Sequence, residues 1–170
     1  MRFFDRELIL VLAVLVWIEL SWPPLFSVGG VRPEPFFIFL AFYAFRIDWK
    51  RVVGLGLAVG LIQDFFTNSF FGLEAASYVA GTALLQFFAI RFDRDKRAVQ
   101  LTSLFFFSWF TLILFSLMAR LTGSALVLDP SNFLKALFIS VYTTLAGSLL
   151  FPVLEKWLKP VFRQRQYELF

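Results

Sequence analysis

The sequence of 170 residues contains neither cysteine nor histidine. Without cysteine the chain cannot form a disulfide framework. Without histidine it lacks the commonest general base and the commonest metal ligand of proteins. It also shows no phosphate-binding glycine loop, no cluster of metal-ligating side chains and no nucleophile with a base beside it. These absences predict a protein that is not an enzyme and that uses no cofactor or metal.

Charge is scarce as well: charged residues make up 16% of the chain, whereas soluble domains carry about 25%. Hydrophobic residues make up 59%, and the charges gather in short clusters between long apolar runs. Each helical crossing of a bilayer core of about 30 Å needs about 20 apolar residues, so the pattern predicts an integral membrane protein embedded in the lipid bilayer. Basic flanks of membrane helices explain the net charge of +4, and we expect no binding to nucleic acid.

The apolar runs predict an all-α integral membrane protein, a single bundle of about six transmembrane helices that forms one domain over residues 1–170. The predicted spans are 8–26, 35–47, 52–66, 73–90, 98–121 and 133–154. The first run resembles a signal peptide, but its length and its Glu19 favour a retained span. The second run would rise only about 20 Å as a helix, so a short true span and a re-entrant segment are both compatible with it, and we favour the true span.

The distribution of basic residues predicts the orientation of these spans. With the N-terminus in the cytoplasm and the sides alternating, thirteen of the sixteen Lys and Arg residues fall inside. The three exceptions are Arg32, Arg120 and Lys135. Because cytoplasmic loops of membrane proteins carry the excess of Lys and Arg, the sequence predicts that both termini are cytoplasmic.

Two acidic residues fall close to mid-membrane in the predicted spans, Glu19 in span one and Asp64 in span three, and Gln63 adjoins Asp64. Ionisable groups at membrane depth are costly and are functional candidates by default. One interpretation is structural, with each carboxyl hydrogen-bonded between helices and protonated because desolvation disfavours the charged form. The alternatives are recognition of a partner and transport of a proton or substrate. We favour the structural interpretation, because spans four to six place no further charged residue at mid-depth.

Span three also carries small residues at helical spacing. Gly56, Gly60 and Asp64 recur every four residues and therefore share one face of the helix. The pattern of Gly56 and Gly60 lets helix backbones approach closely in lipid, which predicts tight packing against a neighbour such as span four. We assign Gly72, which precedes span four, to helix packing as well.

Three segments carry a resemblance to a known family. They are Arg-Pro-Glu-Pro at 32–35, the glycine-rich stretch from Gly54 to Asp64, and Gly-Leu-Glu-Ala at 72–75. Together with the length, the six predicted spans and the basic tail, they resemble the rod shape-determining protein MreD family. The resemblance implies a bacterial cytoplasmic (inner) membrane protein with a fold similar to the substrate-binding subunits of energy-coupling-factor transporters.

The resemblance also implies a function and partners. MreD proteins are non-catalytic scaffolds or regulators of the elongation complex, which supports lateral peptidoglycan synthesis and rod cell shape. The implied direct partner is MreC, and MreB, RodA and its penicillin-binding transpeptidase belong to the same complex. The alternative function is that of a substrate-binding membrane subunit of a vitamin transporter of the energy-coupling-factor type. For the scaffold, Glu19 is the predicted contact with MreC, because without a partner we expect it to face lipid.

Overall fold

The computed structural model describes residues 6–21, 31–66, 70–93, 96–123 and 130–167, with the ends of the chain and four connecting segments outside this description. The described residues form six α-helices in the order in which the sequence predicts six spans. They are α1 (Arg6–Ser21), α2 (Pro35–Ala44), α3 (Trp49–Phe66), α4 (Leu73–Arg91), α5 (Arg97–Leu121) and α6 (Pro130–Tyr167). The all-α fold is confirmed. The predicted end of span one, residues 22–26, lies outside the described residues.

Three of the described helices are long and apolar enough to cross a membrane: α4, α5 and residues Phe133–Lys156 of α6. This is the composition of a helical membrane protein, but it supports fewer crossings than the six that the sequence predicts. The helices α1 and α2 are apolar but have only 16 and 10 residues. The helix α3 has 18 residues, but Lys50, Arg51 and Asp64 interrupt its apolar run.

The helix α2 lies at the centre of the bundle, and all ten of its residues are buried. It contacts each of the other five helices. Around it, α3 packs against α4, α4 against α5, and α5 against α6. Ten residues rise only about 15 Å, and a helix that is apolar on every side is stable when other helices enclose it. The predicted span 35–47 therefore corresponds to a short helix inside the protein. The helix ends at Ala44, and the chain then turns with the backbone N–H groups of Arg46 and Ile47 both donating to the carbonyl of Tyr43.

The helix α6 extends 13 residues beyond the predicted end of span six, to Tyr167. Its 38 residues correspond to about 57 Å, well beyond the bilayer core of about 30 Å. The prediction ended the span where Glu155 and Lys156 interrupt the apolar run. Those residue types end a hydrophobic segment, but they are good helix formers and do not end a helix.

The helix α1 has the fewest neighbours. Within the described residues it packs against α2 alone, with Leu12 in the hydrophobic core and Val11, Leu15 and Val16 partly buried against it. The opposite side of α1 is exposed, including Val14 and Trp17. It is therefore the helix that is held least firmly by packing.

Candidate functional site

Asp64, at the end of α3, binds the first turn of α4. Its Oδ1 accepts a hydrogen bond from the backbone N–H of Glu74 at 2.9 Å, and its Oδ2 accepts one from Ala75 at 3.2 Å. The residue is 5% exposed, as the sequence predicts for a carboxyl bonded to a neighbouring helix. The first N–H groups of a helix have no partner within the helix and carry its positive dipole end. Asp64 therefore provides the acceptors for two of these N–H groups.

The glycines of α3 bring its backbone against α4. A Cβ atom placed on Gly60 would lie 2.5 Å from the Ala75 Cα, and one on Gly56 would lie 2.5 Å from the Thr82 Oγ1. These contacts follow the same face that ends in Asp64, so the structure agrees with the close packing that the glycine spacing predicts. The small face of α3 is used inside the protein and is not open to a partner.

The assignment of Gly72 to helix packing is wrong. A Cβ atom at this position would have no atom within 4 Å, but the backbone adopts φ +100°, in the left-handed region. Glycine enters this region without the steric cost that other residues have. Gly72 lies at the cap position before α4, where it turns the chain from α3 into the first turn that Asp64 binds.

Glu19 has a partner within the chain. Its Oε1 accepts a hydrogen bond from the Nη2 of Arg32 at 2.7 Å, and the side chains are 8% and 50% exposed, respectively. The sequence-based reason for placing Glu19 at a partner interface was that it would otherwise face lipid, and this reason does not hold. The ion pair instead ties the last turn of α1 to the segment that precedes α2.

Glu34 lies in the same segment, between Pro33 and Pro35, and it was not predicted as a site residue. Its backbone N–H donates to the Oγ1 of Thr143 at 3.1 Å, which joins the start of α2 to α6. Its side-chain Oε2 is enclosed and has no hydrogen-bond partner among the described residues. Burial and the negative charge of Glu19 together raise the pKa of Glu34 to about 7, against the opposing effect of the Arg32 guanidinium.

A group of polar side chains surrounds Glu34. The charges of Glu19, Arg32 and Glu74 act on it, and the same carboxylates act on Tyr78, which also forms a side-chain hydrogen bond with Gln63. We call this group the carboxylate cluster; it consists of Glu19, Arg32, Glu34, Gln63, Glu74 and Tyr78. The structure thus brings Glu19 and Gln63, two of the predicted polar residues, to one place. The feature of the sequence that could have indicated Glu34 is its position between two prolines, which hold the backbone extended.

A second polar contact lies beyond the other end of α2. The Nη2 of Arg46 binds the Oε1 of Glu155 at 2.6 Å, and the Nη1 donates to the carbonyl of Phe42 at 2.8 Å. The Oε2 of Glu155 lies 3.7 Å from the Nη2 of Arg97. One carboxylate therefore joins the chain after α2 to the start of α5 and to α6. A guanidinium near the end of α2 also complements the negative end of the helix dipole.

Chemistry at the cluster is restricted by its geometry. Among the described residues, no group of three or more Asp and Glu side chains lies close enough to hold a metal ion. What the cluster offers is one ion pair, several carboxylates of like charge and an enclosed oxygen of Glu34. This arrangement can accept hydrogen bonds and positive charge.

Comparison with known proteins identifies no relative. No family model matches the chain, and no curated protein and no solved structure match it.

Proposed function

We propose that this protein is a non-catalytic scaffold or regulator of the bacterial elongation complex, located in the inner membrane as a multi-pass protein with both termini in the cytoplasm. The supporting observation is that the segments of the MreD resemblance make several of the polar contacts that join the helices. Arg32 binds Glu19, the backbone of Glu34 binds Thr143, and Asp64 binds the first turn of α4. These motifs organise a helical bundle, which is the requirement of a scaffold.

The surface of the bundle also supports a role in helix association. One side of α6 exposes apolar residues at spacings of three and four, which places them on a single stripe. The residues are Leu134, Phe138, Val141, Leu145, Leu149 and Val153. Such a stripe fits lipid or the transmembrane helix of a partner. The proposed direct partner is MreC, and MreB, RodA and its penicillin-binding transpeptidase would be reached through the same complex.

Coexpression with MreC tests this function. The chain and a tagged MreC from the same bacterium are purified in mild detergent, and the chain is expressed in cells that have lost their own MreD. The proposal predicts recovery of the two proteins together and restoration of rod shape. Spherical cells together with recovery of MreC alone would reject it. A small molecule copurifying at one per chain would instead favour the vitamin-transporter subunit.

The proposed topology has its own test, because the chain has no native cysteine. Single cysteines replace Thr122, after α5, and Lys96, before α5, both of which are exposed. An impermeant thiol reagent applied to whole cells should label the first and not the second. The reverse pattern would show the opposite orientation.

A further inference from the structure

The carboxylate cluster contains an enclosed oxygen, Oε2 of Glu34, that has no hydrogen-bond donor among the described residues. Glu19 and Glu74, the nearby carboxylates, add only negative charge. Arg32 is the cation that acts on Glu34, and its Nη2 is bound to Glu19 at 2.7 Å. A buried acceptor without a donor is costly, and a buried negative charge without a counter-charge more so. The cluster is therefore suited to receive one more positive group.

The spacing of the carboxylates indicates the kind of positive group. A metal ion needs several oxygen ligands at about 2–2.6 Å, and no three described carboxylates are close enough to provide them. An organic cation is larger and carries its own donors: an ammonium has three N–H groups, and a guanidinium has five in a plane. Such a group can satisfy Glu34 and reach a second carboxylate at the same time.

We propose that the carboxylate cluster binds one basic side chain, a lysine or an arginine, from the transmembrane or adjacent segment of the membrane partner. This inference rests on the proposed function, because it specifies the partner's chemistry at the cluster. In lipid there is little hydrophobic drive between helices, so polar contacts of this kind contribute to the choice of partner. A basic residue near a membrane segment is itself stabilised by a buried carboxylate.

The packing of α1 provides a way for the basic side chain to reach the cluster. Glu19 lies in the last turn of α1, and within the described residues α1 packs only against α2. Elements with few packing contacts open locally at the lowest cost in free energy. A small displacement of this end of α1 would separate Glu19 from Arg32, and the incoming cation would then take over part of the charge compensation that Arg32 provides.

The test compares partner affinity between variants. Tagged MreC is titrated in detergent against the wild-type chain, Glu34→Gln and Asp93→Asn. The last is a matched control, since Asp93 is an exposed carboxylate that pairs with Lys96. Removing one partner of a buried charge pair usually weakens binding strongly, so we expect Glu34→Gln to bind MreC about 30-fold or more weakly than the wild type does. We expect Asp93→Asn to bind MreC as tightly as the wild type does. Equal affinity of Glu34→Gln and the wild type overturns the inference and shows that a proton alone satisfies Glu34, because glutamine resembles the protonated acid.

Two further measurements separate the remaining outcomes. Each Lys and Arg of the MreC membrane segment is replaced in turn by Gln, a test that does not depend on the folding of Glu34→Gln; if no replacement weakens binding, the inference is wrong. Ethylguanidinium is added to the chain alone as a probe. If it raises the melting temperature of the wild type but not of Glu34→Gln, while MreC affinity is unchanged, the occupant is a free organic cation and not the partner. Failure of MreC to bind the wild type at all rejects the proposed function and this inference together.

Discussion

The contact between α3 and α4 allows a prediction with an internal control. Gly60→Ala adds a single methyl group that would lie 2.5 Å from the Cα and 2.9 Å from the N of Ala75, and 3.0 Å from the carbonyl oxygen of Glu74. All three atoms belong to the backbone of the first turn of α4, so no side chain can rotate to make room. Gly54→Ala adds the same group to the same helix at a position with no atom within 4 Å.

The expected magnitude follows from this geometry. Nonbonded carbon atoms separate to about 3.5–4.0 Å, so the first turn of α4 must move by about 1 Å. The hydrogen bond of 3.2 Å from Ala75 to Asp64 would then be stretched beyond useful length. Overpacking costs about 1–3 kcal/mol, and a hydrogen bond to a charged group contributes about 1.5–3 kcal/mol. With the better helix propensity of alanine subtracted, Gly60→Ala should lower the free energy of unfolding by about 2 kcal/mol or more.

Unfolding by sodium dodecyl sulfate in mixed micelles, followed by far-ultraviolet circular dichroism, measures the effect. Gly54→Ala should match the wild type or exceed it by a fraction of a kcal/mol, because the methyl group meets nothing and alanine favours the helix. If the Gly60 and Gly54 variants have the same stability, the close approach of α3 and α4 through this glycine is wrong.

Three further predictions use the same unfolding measurement. Asp64→Asn replaces one of the two acceptor oxygens by an N–H donor that faces a backbone N–H, so a loss of about 1–3 kcal/mol is expected; wild-type stability would contradict the two hydrogen bonds from α4 to Asp64. Glu155→Gln weakens contacts with two arginines and should lower stability by about 1 kcal/mol, an effect that disappears if both arginines are already Gln. Because the pKa of Glu34 is raised from 4.5 to about 7, the native state retains a proton that the unfolded chain loses, so stability should fall as the pH rises from 4.5 through 7 and then level off. Glu34→Gln should remove that part of the pH dependence. If the variant shows the same dependence of stability on pH as the wild type, the raised pKa of Glu34 is wrong.

Periodic features of the sequence predicted the contact between α3 and α4 well. Two glycines and an aspartate that recur every four residues lie on one face of the helix. This face predicts that another helix packs closely against the glycines and that the aspartate points into the protein, even where the neighbouring helix is not known. The partner groups of Asp64 were not predictable in the same way. They are backbone N–H groups, and the sequence does not show which helix will begin beside a given carboxyl.

Gly72 and Glu34 show two further limits. Glycine serves both close packing and positive φ, and only the backbone angle of +100° distinguishes these roles at Gly72. Glu34 precedes the predicted span 35–47, so hydropathy does not mark it as a residue at membrane depth. Its backbone N–H binds Thr143, which is 109 residues away in the sequence, and no local pattern encodes such a contact.

The burial of α2 on every side was not predictable from hydropathy. An apolar run facing lipid and an apolar run enclosed by protein have the same composition, so hydropathy alone cannot separate them. The helix α2 has 10 residues, about half of the usual length of a crossing helix, and its burial on every side comes from the helices that enclose it. A helix end within a bundle must also have its polar groups satisfied by protein. At α2 this requirement is met by Thr143 at one end and by Arg46 with Glu155 at the other. The central helix is therefore stabilised by polar contacts from α6 at both ends, and the proposed binding of a cation beside Glu34 would act on the first of them.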